Sequence, residues 1–231
     1  MKKGNKPKIQ ARKQSMSDRK RSLSLDAYNQ IEELIVTQQL KPGQLLSEAE
    51  LSGQLGLGRT PIREALQRLN WDGLVVIMPR RGVLVSEIDY GKQMLVLEVR
   101  REVERLMAAK ASLRATQEER NEFLLIAENM EEAAKVNDGI TFIRYDGRLN
   151  ILLAEACHNE YAMRMSRIWN GLSRRFWYLH YQRAADLPLI AKLHAELARA
   201  ITEGDPKQAG KASDTLNDYV LEFTKSAFNL P

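Results

Sequence analysis

The chain predicts a mainly α protein: three short helices and a β-hairpin, followed by an all-helical bundle. Three observations carry this. Apolar residues recur at helical spacing from Asp26 onward. Two β-prone runs, Leu74–Met78 and Val83–Ser86, flank the turn-forming Pro79-Arg80-Arg81-Gly82. From Asp89 to Pro231 helical segments follow one another without a strand pattern. The 231 residues are 44% hydrophobic and 28% charged, which excludes wholesale disorder. No apolar run approaches the roughly 20 residues of a membrane helix, and the basic N-terminus lacks the apolar stretch of a secretory signal. A single cysteine, Cys157, excludes an internal disulfide and a thiolate zinc finger; it fits a cytoplasmic protein and is read as a small buried hydrophobe.

Taken in order, residues 1–22 hold nine basic side chains against one acid, Asp18. With so few apolar residues this stretch is expected to be a disordered arm. Such an arm attracts phosphate, or is a solvated tail or a remnant of translation-start choice, with a transit peptide as a third reading. The body, despite a formal net charge of +5 for the whole chain, is slightly acidic.

The first helix covers Asp26–Gln39 and stops at Lys41-Pro42-Gly43, where proline disfavours a helical predecessor. A second starts at Ser47, whose pairing with Glu50 fits a capping box, and ends at Gly56. A third begins at Arg59-Thr60-Pro61, with Thr60 as the expected N-cap and Pro61 at the first helical position, and runs to about Asn70. Its apolar residues Ile62, Ala65, Leu66 and Leu69 share one arc; Arg59, Thr60, Arg63, Gln67 and Arg68 lie outside it.

Three helices and a hairpin in this order describe a winged helix-turn-helix, residues 23–88. A DNA major groove admits one helix, and residues at that helix's start reach base edges. Arg59 and Arg63 stand one turn apart there, and Arg80 and Arg81 would occupy the wing tip. Five arginines against Glu64 and Asp72 in 59–81 concentrate positive charge where DNA would lie. An ordinary solvated face accounts for any one of these, Arg68 above all.

The second part, 89–231, is expected to hold helices at about 90–114, 117–135, 138–157, 160–183, 187–203 and 205–228. Leu95, Val99, Val103, Leu106 and Leu113 mark the expected buried side of the first. Trp169, Phe176, Trp177, Tyr178, His180 and Tyr181 make an aromatic stretch that lines a cavity or forms plain core or a dimer surface. Arg100, Arg144, Arg148 and Arg174 are candidates to grip an organic anion. Asp146 and His194 could also serve as an acid–base pair, but no nucleophile motif, phosphate-binding loop or HExxH accompanies them, so no enzyme is expected.

The run beginning at Leu45, LLSEAELSGQLGLGRTPIREALQRLNWDGLV, resembles the DNA-binding domain of GntR-family bacterial transcription regulators. LEVRREVERLMAAKAS (97–112), YDGRLNILLAEACHN (145–159) and HAELARAITEGD (194–205) are similar to the FCD domain of the FadR subfamily. The resemblance spans residues 24 to about 228. It implies a homodimer on palindromic double-stranded operator DNA, with Arg59, Arg63 and Gly82 at the DNA and Thr60 and Arg81 beside them. It implies a small-molecule effector in the helical domain, taken here as an organic acid, with Arg100 at a matching position.

The resemblance also implies a divalent-metal site whose ligands fall at Asp146, Asn150, His194 and near Tyr219. Only Asp146 and His194 keep the expected donor; an amide and a phenol are weak replacements, so the site looks degenerate. The four then read as a polar effector-binding pocket. The alternative function is a winged helix used for architectural or protein contacts without sequence-specific regulation.

Overall fold

The computed structural model describes residues 16–184 and 186–228. Its first helix, α1, runs Met16–Val36, so the chain is already helical in the last third of the basic stretch; residues 1–15 lie outside the description. Strand β1, Leu45–Leu46, precedes α2, Glu48–Leu55, and α3, Arg59–Trp71. Strands β2, Val75–Met78, and β3, Gly82–Val85, form the hairpin. Six helices follow: α4 Tyr90–Arg114, α5 Gln117–Lys135, α6 Gly139–Ala156, α7 Glu160–Ala184, α8 Leu187–Glu203 and α9 Pro206–Phe228.

The N-terminal unit closes around its own core. Ala27, Tyr28, Ile31 and Ile35 of α1 meet the arc Ile62, Ala65, Leu66 and Leu69 of α3, with Leu51 from α2 and Val75, Val83 and Val85 from the hairpin. Ser47 caps α2 by accepting the Glu50 amide at 3.1 Å, and Gly56 ends it at φ 65°. That left-handed angle favours glycine because a Cβ would strain it. Only the Ser47 half of the expected capping box is formed. The expected cap of α3 is corrected: Gly58 is the N-cap and Thr60 and Pro61 are the second and third helical residues. Pro61 is still free of cost, because the first-turn amides have no intrahelical acceptor.

The hairpin pairs Val75 with Val85 and Met78 with Gly82. A third strand not expected from the sequence, β1, pairs Leu45 with Leu84 on the other side of β3, giving the order β1-β3-β2. Two residues are too few for alternation to reveal a strand; the pairing is made by the neighbour.

The helical unit begins at caps that the sequence displays. Asp89, Thr116, Asp138 and Asp186 each accept an amide of the following turn, and Thr116 with Glu119 completes a capping box. Gly204 closes α8 at φ 83°. The core gathers Met107, Phe123, Ile126, Met130, Phe142, Ile143, Ile190 and Ile201, with Cys157 fully buried among them. Phe176, Trp177 and Tyr181 belong to this core.

One expectation for α4 is reversed. Leu95, Val99, Leu106 and Leu113 are 62%, 47%, 43% and 59% exposed, and Val103 is only partly covered. The helix instead turns Leu97, Arg100, Glu104, Met107, Ala108 and Ala111 inward. Arg100 and Glu104 tolerate burial because they pair at 2.8 Å, and Asn217 donates to the far Glu104 oxygen at 3.0 Å.

The two units touch along α1, α6 and α7. Gly171 of α7 lets that helix approach the wing domain: a Cβ there would stand 2.5 Å from Leu74 Cδ1. Arg175 donates to the carbonyls of Ser86 at 2.7 Å and Glu87 at 3.1 Å, fixing the connection after β3; burial pushes its pKa down to about 10. Arg144 reaches Glu33, and Arg174 reaches Glu32.

Candidate nucleic-acid interface and interior polar pocket

Arg59, Thr60 and Arg63 all stand exposed on the outer side of α3, and Arg80, Arg81 and Gly82 are exposed on the wing. Among the described residues nothing covers the predicted edge. Gly58 caps α3 with no side-chain acceptor, which leaves the Arg59 and Thr60 amides without a capping side chain. An open helix N-terminus of this kind favours an anion. Arg63 projects one turn along, its Nε and Nη2 donating to both Glu48 oxygens at 2.9 and 2.7 Å. That hydrogen bond holds the Glu48 carboxyl below its ordinary value. The fork is thus already presented in the planar, two-bond geometry that fits a guanine edge.

The wing tip is built by a turn in which Arg81 N–H donates to Met78 carbonyl at 3.0 Å. Pro79 takes its second position and Arg80, at φ 64°, its third. A positive angle there is the mark of a type II turn, and proline before it is preferred. Gly82 has φ 108°, and a Cβ would lie 3.1 Å from the Leu46 carbonyl oxygen. The glycine is accordingly needed for the β1–β3 approach. Asn70 Oδ1 accepts the Ile77 amide at 3.0 Å and ties the wing to the end of α3. Trp71, 85% exposed at that end, was not singled out in the sequence, where it reads as a helix terminator.

Arg68 belongs elsewhere. Its guanidinium lies over the Tyr28 ring, 4.1 Å from the centroid, on the side facing the helical unit. Tyr28 donates to Asp72 at 2.8 Å; burial pushes both groups' pKa values up, the charges of Glu32 and Asp72 adding to the phenol's shift.

Inside the helical unit, α6 and α8 bring three of the expected residues together. His194 Nε2 lies 3.0 Å from Asp146 Oδ1, and Asn150 donates to the same oxygen at 3.3 Å. His194 Nδ1 faces the Ile190 carbonyl at 2.8 Å, so both ring nitrogens meet acceptors. All three side chains are buried. Burial pushes the Asp146 carboxyl up, but the His194 hydrogen bond and the charges of His194, Arg174 and Arg100 outweigh it and hold it below its ordinary value. The adjoining cavity, about 30 Å³, is bounded by Arg100, Asp146, Arg174, Trp177 and His194 among others.

Of the four candidate arginines, Arg100 and Arg174 reach this cavity. Arg148 pairs with Glu122 at 2.7 Å on the surface. Tyr219 does not line the cavity; its hydroxyl accepts the Asp186 amide at 3.0 Å, and Val220 faces the cavity instead. One helical position separates the two. The donor set therefore does not fit a transition-metal centre: Asp146 and His194 already satisfy each other, and among the described residues no three His, Cys, Asp or Glu side chains converge as metal ligands.

The partner of Arg174 is a residue that sequence reasoning missed. Glu32 accepts from its Nη1 at 3.1 Å across the boundary between the units. No local pattern links residues so far apart in the chain.

Two family models match. The model of bacterial regulatory proteins of the gntR family covers residues 23–85, and the FCD domain model covers residues 95–218. Among curated relatives, the uncharacterized HTH-type transcriptional regulator YdhC of Bacillus subtilis is 25% identical over 191 residues, 81% of this chain and 84% of the relative. The Nta operon transcriptional regulator of Aminobacter aminovorans is 27% identical over 137 residues, 58% of this chain and 63% of the relative. Among solved structures, Escherichia coli McbR/YncC superposes with a TM-score of 0.75 at 20% identity, over 90% of this chain and 99% of that one. A GntR regulator from Rhodococcus sp. RHA1 gives 0.65 at 23%, over 91% and 99%. Both likenesses are of fold.

Proposed function

Since the chain belongs to the GntR family of bacterial regulatory proteins and carries an FCD domain, we propose how this transcription regulator reads DNA and what answers to its ligand. A homodimer sets one α3 into each of two successive major grooves, with Arg63 gripping a guanine edge and Arg59 and Thr60 beside it. Arg80 and Arg81 meet the phosphates next to the groove. The supporting observation is that Arg59 and Arg63 on α3 and Arg80 and Arg81 on the wing all stand exposed. Basic residues upstream of Leu23 add attraction for the backbone that carries no sequence information.

The second copy is argued from α4. Leu95, Val99, Leu106 and Leu113 recur at spacings of four and seven, forming an apolar stripe that one chain leaves exposed. A two-fold axis through such a stripe buries it against itself and makes the DNA site a palindrome. Among the described residues no helix is long and apolar enough to cross a membrane. The proposed setting is the cytoplasm, where operator DNA is found, and no catalytic step is assigned.

The ligand is placed at the cavity beside Asp146, Asn150 and His194, with an organic acid as its class. Arg100 and Arg174 supply positive charge there, although Arg100 is already paired with Glu104. Tyr219 stays outside this set.

Selection of duplexes from a random pool, followed by competition against random DNA at fixed salt, tests the reading. Preference of about a thousandfold or more for the selected duplex is expected of a specific regulator. Equal binding of all duplexes would refute it and return the architectural alternative.

A further inference from the structure

Among the described residues, Arg174 lines both of two voids of very different size and kind. On its inner side lies the cavity of about 30 Å³, room for about two water molecules. On its outer side lies a cleft of about 320 Å³ between the two units. That cleft is bounded by Tyr28, Glu32 and Arg68 of the DNA-binding unit and by Gly147, Met163 and Arg174 of the helical unit. The inner cavity alone does not hold a whole organic acid, whereas about 300 Å³ is the lower end of ordinary ligand sites, so the polar pocket proposed above needs the cleft beyond Arg174 for the body of its ligand.

Arg174 is also bonded to both units at once. Nη1 donates to Glu32 of α1 at 3.1 Å, Nη2 donates to the Ile143 carbonyl at 3.0 Å, and Nε lies 3.6 Å from Asp146 Oδ2. The side chain is about nine-tenths buried, and its Nε has no hydrogen-bond acceptor. Its guanidinium occupies the space above Gly147, where a Cβ would stand 2.6 Å from Cζ. Nε faces Asp146, so an acid arriving from the cleft meets Nη1, the donor that Glu32 holds, and must exchange with that carboxylate.

We propose that the ligand site extends through Arg174 into the cleft between the units. A carboxylate with an apolar body takes the Arg174 guanidinium, lays its body along Met163 and Tyr28, and displaces Glu32. This rests on the ligand-responsive reading above and assigns its connection. Releasing Glu32 breaks the buried ionic tie between α1 and α7 and leaves the apolar contact of Leu172, and α1 packs directly on α3, which bears Arg59 and Arg63. The neighbouring Arg144–Glu33 pair is exposed, so it remains as a pivot and holds α1 only weakly. An acid thereby changes the angle at which α3 is offered to DNA, with the inner box of Asp146, Asn150 and His194 on the far side of the same guanidinium.

The test uses the full chain with octanoate as the acid probe and octan-1-ol as the same body without charge. Binding is followed by calorimetry, and hydrogen exchange is followed across Asp26–Val36. Octanoate at millimolar concentration is expected to bind and to speed exchange in α1; octanol is expected to do neither. Glu32→Gln is expected to exchange fast in α1 already, with no further change on adding octanoate. Arg174→Gln is expected to bind octanoate at least about tenfold more weakly; should it fail to fold, Glu32→Gln still decides. Failure of octanoate to bind, binding with α1 exchange unchanged, equal binding by folded Arg174→Gln, or α1 exchange in Glu32→Gln that matches the parent overturns the proposal. Duplex selection needs no ligand, so DNA recognition stands or falls separately.

Discussion

Replacing Arg63 by alanine removes a two-bond fork from the middle of the exposed edge of α3. In the free protein that fork is occupied by Glu48, at 2.9 and 2.7 Å. The pair is solvent-exposed, with the arginine side chain 61% accessible, so giving it up on binding costs little. Its replacement by a guanine edge is base-specific, and each such contact discriminates by about 5- to 150-fold per half-site. Arg63→Ala should therefore lower the preference for the selected duplex over its single-base variant by that factor, and a dimer should feel it twice. Affinity for random DNA should fall only by one cation's share, a salt slope smaller by about one per half-site. Fluorescence anisotropy with the selected duplex, the variant duplex and random competitor at several salt concentrations reads all three quantities. Glu48→Gln should raise affinity for every duplex and leave the preference ratio unchanged, since it removes only an acidic competitor. An unaltered ratio in Arg63→Ala would refute the placement of α3 in the groove.

Four further outcomes are expected. Arg81→Ala, at the wing tip, should weaken all duplexes alike and lower the salt slope; a changed base preference would mean the wing reads sequence. Val99→Glu and Leu106→Glu alter side chains that a single chain exposes, so circular dichroism should be unchanged while sedimentation shifts from dimer to monomer. Arg120 donates to the Ser112, Ile201 and Thr202 carbonyls at 2.6, 2.9 and 2.7 Å, closing the ends of α4 and α8. Arg120→Met should cost about 2–4 kcal/mol and lower the melting temperature by roughly 10 °C; a change below about 1 kcal/mol would contradict this bonding. Asp146 has its pKa held down in the folded state, so its contribution is present above the unfolded carboxylate value of about 3.9 and is lost as pH falls through the lower folded value. The melting temperature of Asp146→Asn should thus lie below the parent's at neutral pH, with the gap closing as acid is added. A gap independent of pH would show that the charge is not what matters.

The helix ends of the C-terminal half were legible because their causes are local. Thr116, Asp138 and Asp186 each hold an amide a few residues away, and Gly204 takes a left-handed angle that its neighbours exclude. The edge of α3 was legible for a related reason: Ile62, Ala65, Leu66 and Leu69 claim one side of the helix, which leaves Arg59 and Arg63 on the other. The start of α3 was read two residues late, because Gly58 caps it through backbone conformation and offers no side chain to recognise.

Spacing alone establishes which side chains share a face, where a helix begins, and that three helices and a hairpin precede a run of longer helices. It does not say what a face will meet. On α4 the more apolar stripe points outward, and the inward stripe contains Arg100 and Glu104, made tolerable by each other and by Asn217 from α9. Strand β1 exists because β3 lies beside it, and Tyr219 misses the cavity by one helical step while Val220 enters it. Arg174 meets Glu32 only because α1 and α7 are packed together. Periodicity is a property of neighbours along the chain, whereas burial, pairing and the shape of a pocket depend on which distant surfaces the completed packing presses together.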